Sequence, residues 1–316
     1  MRPSEFATAA APASLHVELD AFNRERLAPT HGAIDWERAL RRAHDMSRRE
    51  CGWIDRERAT IAPALRDVPT DADAFVAWFE SLASRGPGQG DPLFPWLATA
   101  ATRDQMRWFL FQELAGEAGF DDLVALSQVK LPAVPKLEMA RNYWDEMGRG
   151  TEIAMHGPML ERLEQELQLR DLPSEPVWQS LAIANLMMGL ASHRHLAYQS
   201  IGALGVIELT APGRCEHVNA GLVRLGISGH ARKYYAVHAT LDVKHSAAWN
   251  REVLRPLVAG NAALARPLAE GAWLRLHAGA RCFARYRHEL GLDAASPVAA
   301  CVVSVAHGSR VARASS

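Results

Sequence analysis

Cysteine, strand-like alternation and long apolar runs are all scarce in this sequence. Its 316 residues include four cysteines and no CxxC pair, which argues against a disulfide framework and a zinc–thiolate site and favours a reducing compartment. No apolar run approaches the roughly 20 residues that span a bilayer, and the N-terminus lacks the continuous apolar segment of a signal peptide. We therefore expect a cytoplasmic protein that does not contact a membrane.

An excess of charge and the common catalytic motifs are also missing. Lys plus Arg is 35 and Asp plus Glu is 36, a net charge of −1, which excludes a strongly basic nucleic-acid binder and an acidic disordered chain. There is no GxGxxG after a strand, no Walker loop, no GxSxG and no HExxH, so a nucleotide enzyme and a serine hydrolase are disfavoured. With 48% apolar residues, the composition is that of an ordinary globular protein.

Helical periodicity runs through most of the chain. Apolar residues recur at intervals of three and four among charged ones, which predicts an all-α helical bundle with additional N-terminal helices. Within it we expect a long helix over 177–204, a turn at Pro212 and a short helix over 215–225. The expected organisation is a disordered start (1–14), an N-terminal helical segment (15–92), the bundle (93–292) and a flexible tail (293–316).

One helical segment carries three metal-ligand side chains at a matching spacing. At 100° per residue, Asp242 lies about 40° from His238, and His245 lies about 20° to the other side. Two imidazoles and a carboxylate on one stripe suit a transition metal such as iron or manganese. The alternative is that these polar residues face the solvent while Val237 and Leu241 form the buried face.

A second candidate is His156, which follows a segment that is prone to kinking. Glu146 precedes it by ten residues, which would leave the two side chains about 80° apart on an ideal helix. Gly148 and Gly150 lie between them, so a distortion there would bring Glu146 and His156 together. Glu152 is the alternative partner, because it lies one helical turn before His156.

Three further acids stand in apolar surroundings. Glu113 and Glu117 are one turn apart and follow the aromatic run that ends at Phe111. A carboxylate in such a run needs either a partner or contact with water. Glu208 is a single acid in an apolar stretch that precedes Pro212. Each of the three is a candidate metal ligand.

Taken in order, these residues resemble the ligand pattern of the haem-oxygenase-like diiron oxidases, also called the iron-containing redox enzyme family. The resemblance covers roughly residues 100–290, and the segments that carry it are FQELAGEAGFDDL, KLEMARNYWDEMGRG and YAVHATLDVKHSAAWN. In that family, one core helix supplies a Glu and a later His, the next supplies a Glu, and the last supplies His-x3-Asp-x2-His. The resemblance implies the ligand set Glu113, Glu146, His156, Glu208, His238, Asp242 and His245. Glu113 is preferred over Glu117 because it directly follows the aromatic run.

The resemblance also implies a cofactor and a reaction. The cofactor would be two Fe(II) ions, with manganese as the alternative metal, and O2 would be the co-substrate. The substrate would be a small organic molecule, such as an amino acid, a fatty acid or a nitrogen-containing metabolite. An external electron donor and a homodimer are further expectations, whereas nucleic acid is not expected as a partner. Residues 15–85 would either cap the bundle or form the dimer contact.

Other functions stay open at this point. A haem-binding enzyme of the same fold would need an axial histidine on the first core helix, but it has no use for the triplet on the last one. A metal-independent enzyme of that fold would tolerate the loss of the ligands. A non-catalytic interaction protein would leave the acids exposed to solvent.

Overall fold

The computed structural model describes residues 10–294, and within that range the chain is helical with no β-strand. The predicted all-α fold is therefore confirmed. None of the helices in this range is long and apolar enough to cross a membrane. In chain order the α-helices are α1 (Ala10–Leu27), α2 (Trp36–Ile61), α3 (Ala72–Glu80), α4 (Leu82–Arg85), α5 (Leu93–Thr99), α6 (Arg103–Ala115), α7 (Phe120–Ser127), α8 (Ala133–Glu146), α9 (His156–Leu167), α10 (Trp178–Ser192), α11 (Ala197–Arg224), α12 (Lys233–Trp249), α13 (Arg255–Gly260) and α14 (Ala265–Glu289).

Helix α11 is the centre of the bundle and packs against α5, α12 and α14. It crosses α14 at two glycines. A Cβ on Gly202 would lie 1.9 Å from the carbonyl oxygen of Leu268, and a Cβ on Gly271 would lie 1.7 Å from that of Gln199. Because any side chain would collide with the other helix, only glycine lets the two backbones approach this closely.

The boundaries of α10 and α11 differ from the predicted ones. Helix α10 ends at Ser192, a short 3-10 turn follows, and α11 then runs without interruption through Pro212. The predicted 177–204 helix and the turn at Pro212 are therefore wrong. The chain leaves the helix at His193, whose ring contacts Glu50, and the neighbouring Arg194 donates to the carbonyl oxygen of Leu126. Tertiary contacts at His193 and Arg194 thus end α10 at a point where the apolar pattern predicted a continuous helix.

The two ends of the chain are described only in part. Helix α1 begins at Ala10 because it packs along the bundle, so the expected disorder does not extend over residues 10–14. Of the expected tail, residues 293 and 294 belong to the 3-10 turn Leu292–Ala294. The rest of both predicted segments, residues 1–9 and 295–316, lies outside the described residues.

The N-terminal helices lie against the bundle, α1 on α10 and α2 on both α10 and α14. The ring of His16, on α1, is buried between two tryptophans. Its centroid is 4.7 Å from that of Trp53 and 5.5 Å from that of Trp178. Asn185 of α10 donates to the carbonyl oxygen of His16 at 2.9 Å. His16 is therefore one of the side chains that hold α1 to the rest of the protein.

The burial of His16 makes the stability depend on pH. Burial and the positive charge of Arg281 lower its pKa from 6.5 to about 4, so the ring is neutral in the folded protein. The unfolded chain takes up a proton on His16 below about pH 6.5, so this stability is present above that pH and is lost as the pH falls toward 4. Between pH 7.5 and 5 we expect this group to remove about 2 kcal/mol from the free energy of unfolding. Denaturant unfolding at both pH values measures the loss, and His16→Phe, which keeps an aromatic ring, should lose correspondingly less. Equal losses in the two proteins would contradict the assignment.

Candidate metal centre

A break between α8 and α9 brings two of the predicted ligands together. Helix α8 ends at Glu146 and α9 begins at His156. Gly148 and Gly150, between them, have φ angles of 59° and 80°, in the left-handed region that favours glycine. His156 Nδ1 consequently lies 2.9 Å from Glu146 Oε2, whereas Glu152 is exposed. The neighbour of His156 is thus Glu146 and not Glu152.

The stripe on α12 faces the interior of the bundle. His238, Asp242 and His245 are all buried, and Nδ1 of His245 lies 3.9 Å from Oδ1 of Asp242. Val237 and Leu241 are only partly buried. The alternative in which these two apolar residues form the buried face is therefore wrong.

Glu208 reaches the same place from α11. Its side chain is buried, its Oε2 lies 3.5 Å from His245 Nδ1, and Asn142 of α8 donates to its Oε1 at 2.6 Å. Pro212, four residues later, has no N–H group, so the carbonyl oxygen of Glu208 lacks its usual helical hydrogen bond. The regular bonding of α11 is thus interrupted at the residue that faces the site.

Glu146 lies between two groups of donor atoms. One group is Glu146, His156 and His238; the other is Glu146, Glu208 and His245. Oε2 of Glu146 is 3.6 Å from His238 Nε2, and its Oε1 is 3.8 Å from His245 Nδ1. Within each group the donor atoms lie within 4.8 Å of one another. Two ligands that bind one ion at roughly 2.1 Å are separated by about 3 to 4 Å, so these distances suit ions in both places.

The upstream acid that faces this cluster is Glu117 and not the expected Glu113. Glu117 lies just beyond the end of α6, and its Oε2 is 3.6 Å from His156 Nε2. Because the helix ends between the two acids, they point in different directions. Glu113 lies on the wall of the cavity that adjoins the cluster, where burial raises its pKa and the charges of Arg214 and Arg275 oppose that shift.

The neighbouring acids favour the protonated form of His156, whereas burial and a second carboxylate favour the protonated form of Asp242. Burial alone would lower the pKa of His156, but Glu117 and Glu146 overcome it and raise that pKa to about 10. Burial and the charge of Glu208 raise the pKa of Asp242 to about 8. Protons on the imidazoles offset the carboxylate charges, and a metal ion that displaces those protons would take over the same role.

The donor atoms are arranged as metal ligands are. Two histidines are oriented through the nitrogen that faces away from the cluster: His238 Nδ1 donates to the carbonyl oxygen of Tyr234 at 2.7 Å, and His245 Nε2 donates to Asp145 Oδ2 at 3.1 Å. Such bonds fix the orientation of metal-binding imidazoles. Imidazole nitrogens together with carboxylate oxygens fit iron or manganese. Several buried donor atoms of the cluster have no hydrogen-bond partner within the described chain, namely His156 Nε2, Asp242 Oδ1 and His245 Nδ1.

A cavity of about 130 Å³ adjoins the cluster, and Glu117, Glu146 and His156 form part of its wall. Much of the remaining wall is apolar and includes Phe120 and Ile207. A cavity of roughly 150 Å³ holds benzene, so this one has room for a molecule of about that size.

Some site residues were not predicted from the sequence. Asp145 directly precedes Glu146, but adjacent residues on a helix point in different directions, so its contact with His245 has no signal in the sequence. Arg214 and Arg275 also line the cavity. They lie far apart in the chain, and only the packing of α11 on α14 brings them to one wall.

Comparison with known proteins identifies the class. Residues 107–280, more than half of the chain, match the family of iron-containing redox enzymes. The chain therefore belongs to that family, as the motifs indicated. No protein with a curated description is similar enough in sequence to count as a match.

A solved structure supports the fold. The chain is similar to the crystal structure of a CADD-like protein of unknown function from Nostoc punctiforme, with a TM-score of 0.51 and 14% identity. The match covers 72% of this chain and 98% of that one. A second crystal structure of the same protein gives a TM-score of 0.45 and 15% identity, over 76% and 97% of the two chains.

The shared position of Glu146 predicts how iron binding responds to substitution. We expect Glu146→Gln to lose both ions, because its two oxygens face both groups of donors. Glu208→Gln should lose mainly the ion beside His245. Iron per chain after anaerobic Fe(II) loading measures this, and Glu152→Gln is the matched control, because that acid is exposed in the same segment. Wild-type iron content in Glu146→Gln would show that the ligand assignment is wrong.

Substitutions of the two upstream acids, Glu113 and Glu117, form a matched pair of variants. Glu117→Gln should lower the affinity for iron by about tenfold or more, because it removes a negative charge that faces His156. Glu113→Gln should leave iron binding close to that of the wild type. Titration of the metal-free protein with Fe(II) distinguishes them. The opposite ranking would restore Glu113 as the ligand.

Proposed function

We propose that the protein is a non-haem diiron oxidoreductase that uses O2 to oxidise a small organic molecule. The position of Glu146 is the observation that carries this proposal. One of its oxygens faces His156 and His238, and the other faces His245. A carboxylate that lies between two groups of donors is suited to bridge two ions, as in the diiron carboxylate proteins.

The proposed ligand set differs from the expected one at a single position, with Glu117 in place of Glu113. Three imidazoles and four carboxylates supply enough donors for two ions and leave positions for O2. Manganese is the alternative occupant, since it accepts the same donors. The ligands of one ion would be Glu117, Glu146, His156 and His238, and those of the other would be Glu146, Glu208, Asp242 and His245.

In this proposal, a bound Fe(II) pair would supply two of the four electrons that full reduction of O2 consumes, and the substrate or an external donor would supply the others. The chain holds the ligands in place: Asp145 orients His245, the Tyr234 carbonyl orients His238, and Asn142 orients Glu208. The apolar wall of the cavity excludes water from the reacting molecule.

The alternative functions have less support. A porphyrin is several times larger than the cavity of about 130 Å³, and both ring nitrogens of His156 already face carboxylates. A metal-independent or purely structural role would leave His156 Nε2, Asp242 Oδ1 and His245 Nδ1 buried without hydrogen-bond partners within residues 10–294, which is costly in free energy.

The reaction with O2 tests the proposal. Protein loaded with Fe(II) without air should bind two ions per chain, consume O2 on mixing, and oxidise its iron much faster than Fe(II) in buffer. Glu146→Gln, treated identically, should do none of these. One ion per chain would contradict the diiron assignment. Two ions that react with O2 no faster than free Fe(II) would contradict the oxidase function.

A further inference from the structure

The cavity beside the metal cluster has a second polar region. Arg214 of α11 and Arg275 of α14 both line it, together with Glu113 of α6. Arg214 follows the proposed ligand Glu208 by six residues on α11, and its guanidinium group donates to Thr210. Within residues 10–294, neither arginine has a hydrogen bond or an ion pair with a proposed metal ligand.

Neither guanidinium group is paired. Within residues 10–294, no carboxylate oxygen lies within 4.0 Å of a nitrogen of Arg214 or Arg275. Arg214 donates to Thr210 Oγ1 at 3.0 Å and lies 5.8 Å from the centre of the Phe283 ring. Nε of Arg275 is buried and has no hydrogen-bond partner in the same range. An unpaired cation in such a place is costly, so the arrangement indicates an anion that completes it.

Glu113 does not neutralise the two arginines. Its charge acts on both of them from beyond ion-pair distance. Two guanidinium groups against one carboxylate leave at least one positive charge in excess. Burial and the charge of Arg275 lower the pKa of Arg214 to about 10, which still leaves it protonated at neutral pH. The excess charge matches a monoanion.

The rest of the wall limits the body of that anion. Side chains such as Leu110, Leu163 and Ile207 make it apolar, and the cavity volume is about 130 Å³. Since roughly 150 Å³ accommodates benzene, this volume suits a hydrocarbon part of about that size or smaller.

Building on the proposed function, we propose that Arg214 and Arg275 form the subsite for the carboxylate of the substrate. The substrate is a short monocarboxylic acid, whose hydrocarbon part extends from the arginines toward the metal ligands. The two planar guanidinium groups are suited to bind the carboxylate oxygens by charge-assisted hydrogen bonds.

Calorimetric titration of the full-length, chelator-treated protein tests the subsite apart from any metal–carboxylate bond. The probes are n-alkanoates of three to eight carbons and the corresponding primary amides, which are neutral and of similar shape. We expect at least one alkanoate to bind more than about tenfold more tightly than its amide. Alkanoate binding no tighter than amide binding overturns the proposal.

Four variants assign the effect to residues. Arg214→Met and Arg275→Met should each weaken alkanoate binding by about tenfold or more, because each removes charge-assisted hydrogen bonds. Glu113→Gln should bind at least as tightly as the wild type, because it removes the competing negative charge. Arg255→Met is the matched control, since Arg255 is exposed and paired with Asp73, and it should bind like the wild type. Unchanged binding in both cavity variants overturns the proposal.

Two further measurements separate this subsite from a structural role and from the metal centre. Methionine in place of an unpaired buried arginine should leave the melting temperature unchanged or raise it. Weak binding together with a lower melting temperature in both variants would mean a structural role and overturns the proposal. Iron content should be unchanged in both. If the wild type binds no iron but binds alkanoates through the arginines, the proposed function fails and the subsite stands. If it binds iron and reacts with O2 but does not prefer alkanoates to amides, the subsite fails alone.

Discussion

Four carboxylates and three imidazoles converge on one point of this bundle, all of them buried except the partly exposed Glu117. The rest of the site depends on how their charges are offset. Isolated carboxylates would not tolerate that burial. The closest contact is the 2.9 Å approach of His156 to Glu146, and the other imidazoles approach the same carboxylate from α12. An ion on either side of Glu146 would replace imidazole protons as the source of positive charge. The same concentration of carboxylates that favours protonated imidazoles therefore favours the binding of cations.

The fold class and most of the site could be predicted from the sequence because their signals are local. The stripe His238, Asp242 and His245 follows from helix geometry alone, and the structure places it as that geometry requires. The prediction that Glu146 and His156 lie close together required one further assumption, a kink at the glycines between them. Each of these inferences depends on residues within about three helical turns of each other.

The errors arise where local signals compete with tertiary contacts. Pro212 predicts a turn, but α11 continues through it. The helix is held on several sides by α5, α12 and α14. Glu113 reads as the ligand because it follows an aromatic run, but α6 ends before Glu117 and turns that residue toward His156. On a continuous helix, Glu113 and Glu117 would point the same way, because they are one turn apart. The end of α6 between them removes that relation, and the sequence analysis did not predict where α6 ends.

Interruptions of regular helix lie close to the proposed ligands. Glu146 precedes the break at the glycines. The carbonyl oxygen of Glu208 lacks its helical hydrogen bond, because Pro212 has no N–H group. A π-helical turn, Asn250–Leu254, begins five residues after His245. Local π-helical geometry is frequent at functional sites, where it re-aims side chains at some cost in stability. The bundle thus keeps its regular packing along α11 and α14 and concentrates irregular backbone where the ligands must converge.

The distribution of charge also determines how a bound carboxylate would be oriented in the cavity. Two divalent ions would neutralise the four carboxylates of the cluster, whereas the excess positive charge of Arg214 and Arg275 would persist. A molecule with one carboxylate therefore gains most by placing that group at the arginines, and its hydrocarbon end is then the part that faces the ligands. The arginines would in this way determine which carbon reacts as well as which molecule binds.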